Sequence, residues 1–148
     1  MELFISLFFS QKLSNSSASA TKDPRLGHVN KPNTVVFSKS PEFSITYHFD
    51  KNGFRYNPEK NGELKNSIKI LTIGDSFTLG AGNHYKDVWS SILERELIEY
   101  GKNVEVINAG VSGYGTAQTV AFLERLIQKV NPQIVLLGFL PNDLYDII

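Results

Sequence analysis

The stretch Ile68-Lys69-Ile70-Leu71-Thr72-Ile73-Gly74-Asp75-Ser76-Phe77 decides how the rest of the chain is read. Its start is apolar or β-branched apart from Lys69, the composition of a strand, and Gly-Asp-Ser then supplies turn and helix-start residues. Ser76 therefore falls at the carboxyl end of a strand and the amino end of a helix. Free N–H groups at a helix start favour negative charge. A nucleophile whose attack creates an oxyanion suits that position. A polar loop in an α/β domain would look the same over three residues, so the following chain has to discriminate.

From residue 67 onward the pattern alternates strand, helix, strand, helix, strand. Residues 87–100 carry Val88, Trp89, Ile92, Leu93, Leu97 and Ile98 at helical spacing, with Gly101 as the stop. Val104-Glu105-Val106-Ile107 reads as the second strand. Residues 116–130 form a second amphipathic helix, with Val120, Phe122, Leu123, Leu126, Ile127 and Val130 inward and Asn131-Pro132 closing it. The third strand is the apolar run 134–140. Such alternation implies right-handed crossovers and a parallel sheet covered by helices.

Two strand orders are open. In the flavodoxin-like order 2-1-3, the loops after the first and third strands face each other across a crevice. Gly74-Asp75-Ser76 then lies opposite Pro141-Asn142-Asp143, with Asn108-Ala109-Gly110 at the same edge. Ser76 would be the nucleophile. Its own N–H, the N–H of Gly110 and the side-chain amide of Asn142 are candidate oxyanion donors. Gly110 and Asn142 also suit ordinary turn or cap positions, and Asp75 and Asp143 read as loop and helix-start carboxylates. The run 134–140 has the pattern of a strand buried on both faces, which the order 2-1-3 would leave at an edge. A further strand and helix are therefore expected beyond it.

At this point three blocks can be compared with a known family. Gly74-Asp75-Ser76, the segment from Asn108-Ala109-Gly110 to Tyr114-Gly115, and Gly138-Phe139-Leu140-Pro141-Asn142-Asp143 resemble, in order, the first three blocks of the GDSL-type, or SGNH, hydrolase superfamily. The likeness covers residues 68–148. More weakly, the Pro-Arg-Leu-Gly and Asn-Gly-Phe-Arg elements before it resemble the lead-in of extracytoplasmic and membrane-anchored members. The resemblance implies a three-layer α/β/α flavodoxin-like fold, present in part, preceded by a small β-hairpin preamble. It implies Ser76 as nucleophile and Gly110 and Asn142 as oxyanion donors, with no metal or organic cofactor. The implied activity is a serine ester hydrolase or acyl transferase acting on small or carbohydrate-linked acyl esters through an acyl-serine intermediate.

The family's fourth block, Asp-x-x-His, supplies the general base, and no such block occurs in these 148 residues. His84, eight residues beyond Ser76, has no counterpart in the resemblance. A serine hydroxyl without a base is a weak nucleophile, so this chain taken alone is expected to be inactive. The alternative is a non-catalytic module that binds a glycan or acyl ligand in the same crevice. A nucleotide- or flavin-binding domain is disfavoured, because residues 74–82 hold neither GxxxxGK[ST] nor GxGxxG.

Composition narrows the partners. Fifteen basic and fifteen acidic residues cancel, and no Lys/Arg stripe interleaved with aromatics suggests nucleic acid. Without cysteine there are no disulfides or thiolate sites, and His28, His48 and His84 lack metal-site spacing. Residues 1–22 read as a signal-like or unstructured tail, with a linker through Thr21. Residues 3–9 are apolar and Ala18-Ser19-Ala20 has a small-x-small form, but Glu2 replaces the usual cation and the run is too short to span a bilayer. Membrane or cell-surface association through this end, and the compartment itself, stay open. Residues 23–66 form the preamble and 67–148 the partial hydrolase domain. Within the preamble, Phe43, Ile45, Tyr47 and Phe49 alternate with polar residues as a half-buried strand, and Phe54-Arg55-Tyr56 is expected to return as its hairpin partner. His48 falls on the polar face.

Overall fold

The computed structural model describes residues 19–60 and 64–139. Four strands come first: β1 (Ala20–Asp23), β2 (Gly27–Asn30), β3 (Thr34–Lys39) and β4 (Ser44–Phe49). The α/β unit follows as β5 (Ile68–Gly74), α1 (Ser76–Leu79), a 3-10 turn at Tyr85–Asp87, α2 (Trp89–Glu99), β6 (Val104–Asn108), α3 (Thr116–Val130) and β7 (Ile134–Gly138). The last three strands form a parallel sheet in the order β6-β5-β7, which is the expected 2-1-3.

Helices cover both faces of this sheet. On one side Leu71 and Ile73 of β5 meet Phe122, Leu126 and Val130 of α3 in the main core. On the other, Ile70 joins Val104 and Val106 of β6, with Leu93 and Leu97 of α2 packed against them. β5 is thus buried on both faces from Ile70 to Gly74. β7 is flanked by a strand on one side only among the described residues, and Ile134, Leu137 and Phe139 are exposed along it.

α3 has the expected bounds. The Gln118 side chain accepts from the Gly115 N–H at its start, and Asn131 ends it in the left-handed conformation before Pro132. Its buried stripe is Thr119, Phe122, Leu126 and Val130, one residue per turn, so Val120 and Ile127 fall outside it and are exposed. α2 departs further from expectation. Ser90 and Glu94 are buried, while Trp89, Ile92 and Ile98 are exposed. The polar pair is inward because each has partners. Ser90 Oγ accepts from Asn108 Nδ2 at 2.9 Å, and Glu94 Oε1 accepts from the Val106 N–H at 2.7 Å and from Lys60 Nζ at 2.8 Å. Glu94 thereby satisfies a donor on the outer edge of β6.

The preamble differs most from its reading. β4 pairs with β3, from Thr34↔Phe49 to Lys39↔Ser44, and Arg55 contributes only single bridges to Phe49 and Asn108. β3 lacks a legible alternation because Val35 and Phe37 face solvent. β1 pairs with β2, so Ala20 and Thr21 belong to a strand and not to a linker. The hairpin of β3 and β4 reaches the parallel sheet through Arg55, whose N–H donates to Asn108 O at 3.0 Å.

Candidate active site

One turn of helix is seated at the carboxyl edge of the sheet by three glycines, two ending β5 and β7 and one in the loop after β6. A Cβ on Gly74 would collide with Thr78 Oγ1 and lie 2.6 Å from Gly138 O, and one on Gly138 would collide with Thr78 Oγ1. A Cβ on Gly110 would collide with Leu79 N and lie 2.6 Å from the Thr78 carbonyl carbon. Each would overlap atoms that cannot yield cheaply, so the α1 turn can drop onto the strand ends only where side chains are missing. Gly74 has a further reason, since its φ of 153° is one that side chains rarely adopt. Thr78, fully buried at the centre, keeps an Oγ1 without a hydrogen-bond partner among the described residues.

Ser76 opens that turn and is half-buried. Asp75 is its N-cap, accepting from the Phe77 N–H at 2.9 Å, which is the helix-start role read for it. The Ser76 carbonyl accepts from Gly80 and Ala81, both at 2.9 Å. With only four residues, α1 carries the dipole of a single turn, so charge at Ser76 would be met by individual N–H groups.

The loop after β6 is bound directly to this turn. Ala109 donates to Thr72 O at 2.9 Å and Val111 to Gly74 O at 3.0 Å, so residues 109–111 run alongside the end of β5. Asn108 is the organising side chain. Its Nδ2 donates to Thr78 O at 2.7 Å and to Ser90 Oγ, and its Oδ1 accepts from the Gly110 N–H at 3.0 Å. Gly110 is therefore packed against Leu79, three residues along the turn from Ser76, with its N–H engaged by a neutral amide. Asn142 and Asp143 lie outside the described residues.

Arg55 grips the turn from the other end. Fully buried, it donates through Nη1 to Leu79 O and Gly80 O, both at 2.7 Å, and through Nη2 to Asn83 O at 2.6 Å. The guanidinium carbon sits 4.5 Å from the centre of the Tyr47 ring, a cation–π contact. Burial lowers its pKa while the neighbouring phenols of Tyr47 and Tyr85 push back. Burial, with the charge of Glu94 adding to it, pushes the Tyr85 phenol up to about 12. The sequence alone places Arg55 in a hairpin arm and Asn108 at a loop flank, and shows neither role. The one available signal was an arginine beside two aromatics in Phe54-Arg55-Tyr56, which suits burial as well as exposure.

The histidines are dispersed. His28 Nε2 is 2.8 Å from Ser112 O, and its ring meets Tyr114 edge-on at 5.4 Å. The Tyr114 phenol donates to His28 O at 2.6 Å, and burial pushes it up to about 12. His84 and His48 border a separate hollow with Asn57 and Glu59, to which the Ser76 turn contributes nothing. Among the described residues, no three His, Asp or Glu side chains gather where a metal ion could be held.

No protein-family model matches the chain. An arylesterase of Vibrio mimicus is 36% identical over 77 residues, covering 52% of this chain and 38% of its own. Esterase TesA of Pseudomonas aeruginosa is 30% identical over 74 residues, covering 50% and 37%. A crystal structure of TesA superposes with a TM-score of 0.50 at 28% identity, over 54% of this chain and 45% of that one. Over part of its length the chain is related to the SGNH hydrolases. It spans about two-fifths of the length of these curated relatives. The SGNH relationship agrees with the order β6-β5-β7 and with helices on both faces of the sheet.

Proposed function

We propose that this chain carries the nucleophile and part of the oxyanion hole of an SGNH-type serine esterase, acting on small or carbohydrate-linked acyl esters. The supporting observation is the seat described above. Glycines ending β5 and β7 and Gly110 itself bring the loop after β6 against the turn that begins at Ser76, at the carboxyl edge where ligands of such sheets bind. Both curated relatives are named esterases.

In this mechanism Ser76 Oγ attacks the ester carbonyl carbon. An Oγ–C bond forms, the carbonyl oxygen becomes an alkoxide, and the Oγ proton passes to a base. Collapse breaks the bond to the alcohol, which leaves with that proton, and the acyl-serine is then released to water or to an acceptor alcohol. The Ser76 N–H, Gly110 N–H and Asn142 amide are the proposed oxyanion donors. A charged alkoxide outcompetes the neutral Asn108 Oδ1 for the Gly110 N–H. Asn108 meanwhile keeps its two donor bonds to Thr78 and Ser90, so it stays in place when that contact is released.

The general base and the carboxylate that would orient it are not supplied by these residues. Triad enzymes deprived of one member retain roughly 10³–10⁴-fold catalysis over water. The test is therefore a covalent one: the chain is incubated with a p-nitrophenyl ester and with a fluorophosphonate, and the adduct is located by mass spectrometry. Modification at Ser76, abolished in Ser76→Ala, is the expected result. Equal hydrolysis and equal labelling in Ser76→Ala would overturn the reading. Ligand binding without any adduct would leave the non-catalytic module in its place.

A further inference from the structure

A cavity of about 210 Å³ lies between the β3–β4 hairpin and the loop that follows α1. Val36, Tyr47 and Phe49 form its hairpin side, Leu79 and Ala81 its α1 side, and Ser112 reaches it from the loop after Gly110. Val36, Phe49 and Leu79 are themselves a buried apolar cluster with Tyr47 packed on it, so the walls are core side chains. They are held in position. Tyr47 stacks on Phe49 with ring centres 6.3 Å apart, takes the Gly82 N–H on its hydroxyl at 2.9 Å, and has the Arg55 guanidinium over its face.

This cavity adjoins the turn on which the proposed chemistry depends. The Ala81 N–H donates to the carbonyl of Ser76, and Ser112 is two residues beyond Gly110. Its volume exceeds the roughly 150 Å³ of an apolar cavity that takes up benzene. We propose that it receives the apolar arm of the ester, a group of about six non-hydrogen atoms, so that the hairpin before the α/β unit sets substrate preference. The proposal rests on the esterase reading of Ser76. The arm is the acyl chain or the alcohol portion, and the experiment separates the two.

Amide spectra of the full 148-residue chain are recorded during titration with butyrate and hexanoate as acyl-side probes and with phenol as the alcohol-side probe. The expected result is saturable shifts centred on Val36, Leu79, Ala81 and Ser112. If the acyl side enters, hexanoate binds roughly fifteenfold tighter than butyrate, since each buried methylene is worth about fourfold. If the alcohol side enters, phenol alone saturates. Ala81→Phe, at an exposed position on the rim, should block the shifts, and Val36→Ala should move the preference to a longer chain. Absence of saturable shifts with all three probes would overturn the proposal, as would unchanged shifts in both variants. Ser76→Ala should bind like the parent, which separates this outcome from the esterase test: labelling of Ser76 without binding would sink the cavity alone. Binding without labelling would sink the esterase reading and leave an apolar site without its ester.

Discussion

In residues 64–139 order comes from apolar stripes meeting a sheet, whereas in residues 19–60 it comes largely from side chains reaching across to distant carbonyls. Leu71, Ile73, Phe122 and Leu126 pack as the first kind of structure demands. The second kind depends on Asn30 Nδ2 donating to Gly110 O at 2.9 Å, Gln118 Nε2 to Leu26 O at 2.8 Å, and Arg55 to three carbonyls after α1. Leu26 and Phe54 do enter the main core, so the earlier segment is not merely laid on the surface. The difference teaches that the preamble is joined at the residues that shape the candidate site, and less so elsewhere.

The strongest way to break that comparison is Arg55→Met. If the preamble were an independent appendage, removing one of its side chains would leave the α/β unit untouched. Instead the substitution strips donors from Leu79, Gly80 and Asn83, two of them buried carbonyls at the end of the Ser76 turn. Unsatisfied buried groups cost about 1–3 kcal/mol each, so a loss of about 3–5 kcal/mol in urea denaturation is expected, with the whole chain affected. Lysine should not rescue it, because one ammonium lacks the planar fork that spans three acceptors. A loss below about 1 kcal/mol, or a preamble that melts separately, would show that the two regions are independent.

A smaller effect is expected inside the α/β unit, where the glycine seat can be tested by a cycle. Gly138→Ala drives a Cβ onto Thr78 Oγ1, and overpacking of this kind costs about 1–3 kcal/mol. Thr78→Ala should be cheap for a buried residue, since the hydroxyl it removes has no hydrogen-bond partner among the described residues. Combined, the two should cost less than their sum, with a coupling of at least about 0.5 kcal/mol in denaturation midpoints. Additive losses would mean that the strand ends are held apart by something other than Thr78.

The same contrast explains what the sequence made legible. β5, β6, β7 and α3 were recoverable because their signals are local: an apolar run of strand length, or a stripe with period 3.6 ended by Asn-Pro. The residues alone left two strand orders open, and the resemblance to the SGNH superfamily implied the order 2-1-3. The inward face of α2 was misjudged because Glu94 is made burial-competent by Lys60 and the Val106 N–H, partners 34 and 12 residues away. β1 and β2 were missed because four-residue strands such as Ala20–Asp23 carry no period. At the candidate site, Ser76 and Gly110 were visible as types at expected places. The steric part of the glycine pattern was not, because only the assembled turn shows that Gly74 and Gly138 face the Thr78 side chain and Gly110 the Thr78–Leu79 backbone.

The mildest prediction concerns the far end of the junction. Arg125 holds Asp23 by two hydrogen bonds of 2.7 and 3.0 Å, and the same carboxylate accepts from the Arg25 and Leu26 N–H groups. The Arg125 hydrogen bond, foremost, holds the Asp23 carboxyl well below the usual range. A carboxyl depressed in the folded state adds stability above its unfolded value and loses it as pH falls toward the folded one. Thermal stability should therefore begin to fall near the ordinary aspartate value of about 3.9 and keep falling below it. Arg125→Met should flatten that acid limb while changing stability at pH 7 less than either substitution above, because the pair is exposed to solvent on the arginine side. An unchanged acid limb would mean that the Asp23 carboxylate is held by its backbone donors, Arg25 and Leu26, without help from Arg125. The preamble would then be anchored through Arg55, Asn30, the Gln118 and Tyr114 hydrogen bonds and its core residues Leu26 and Phe54.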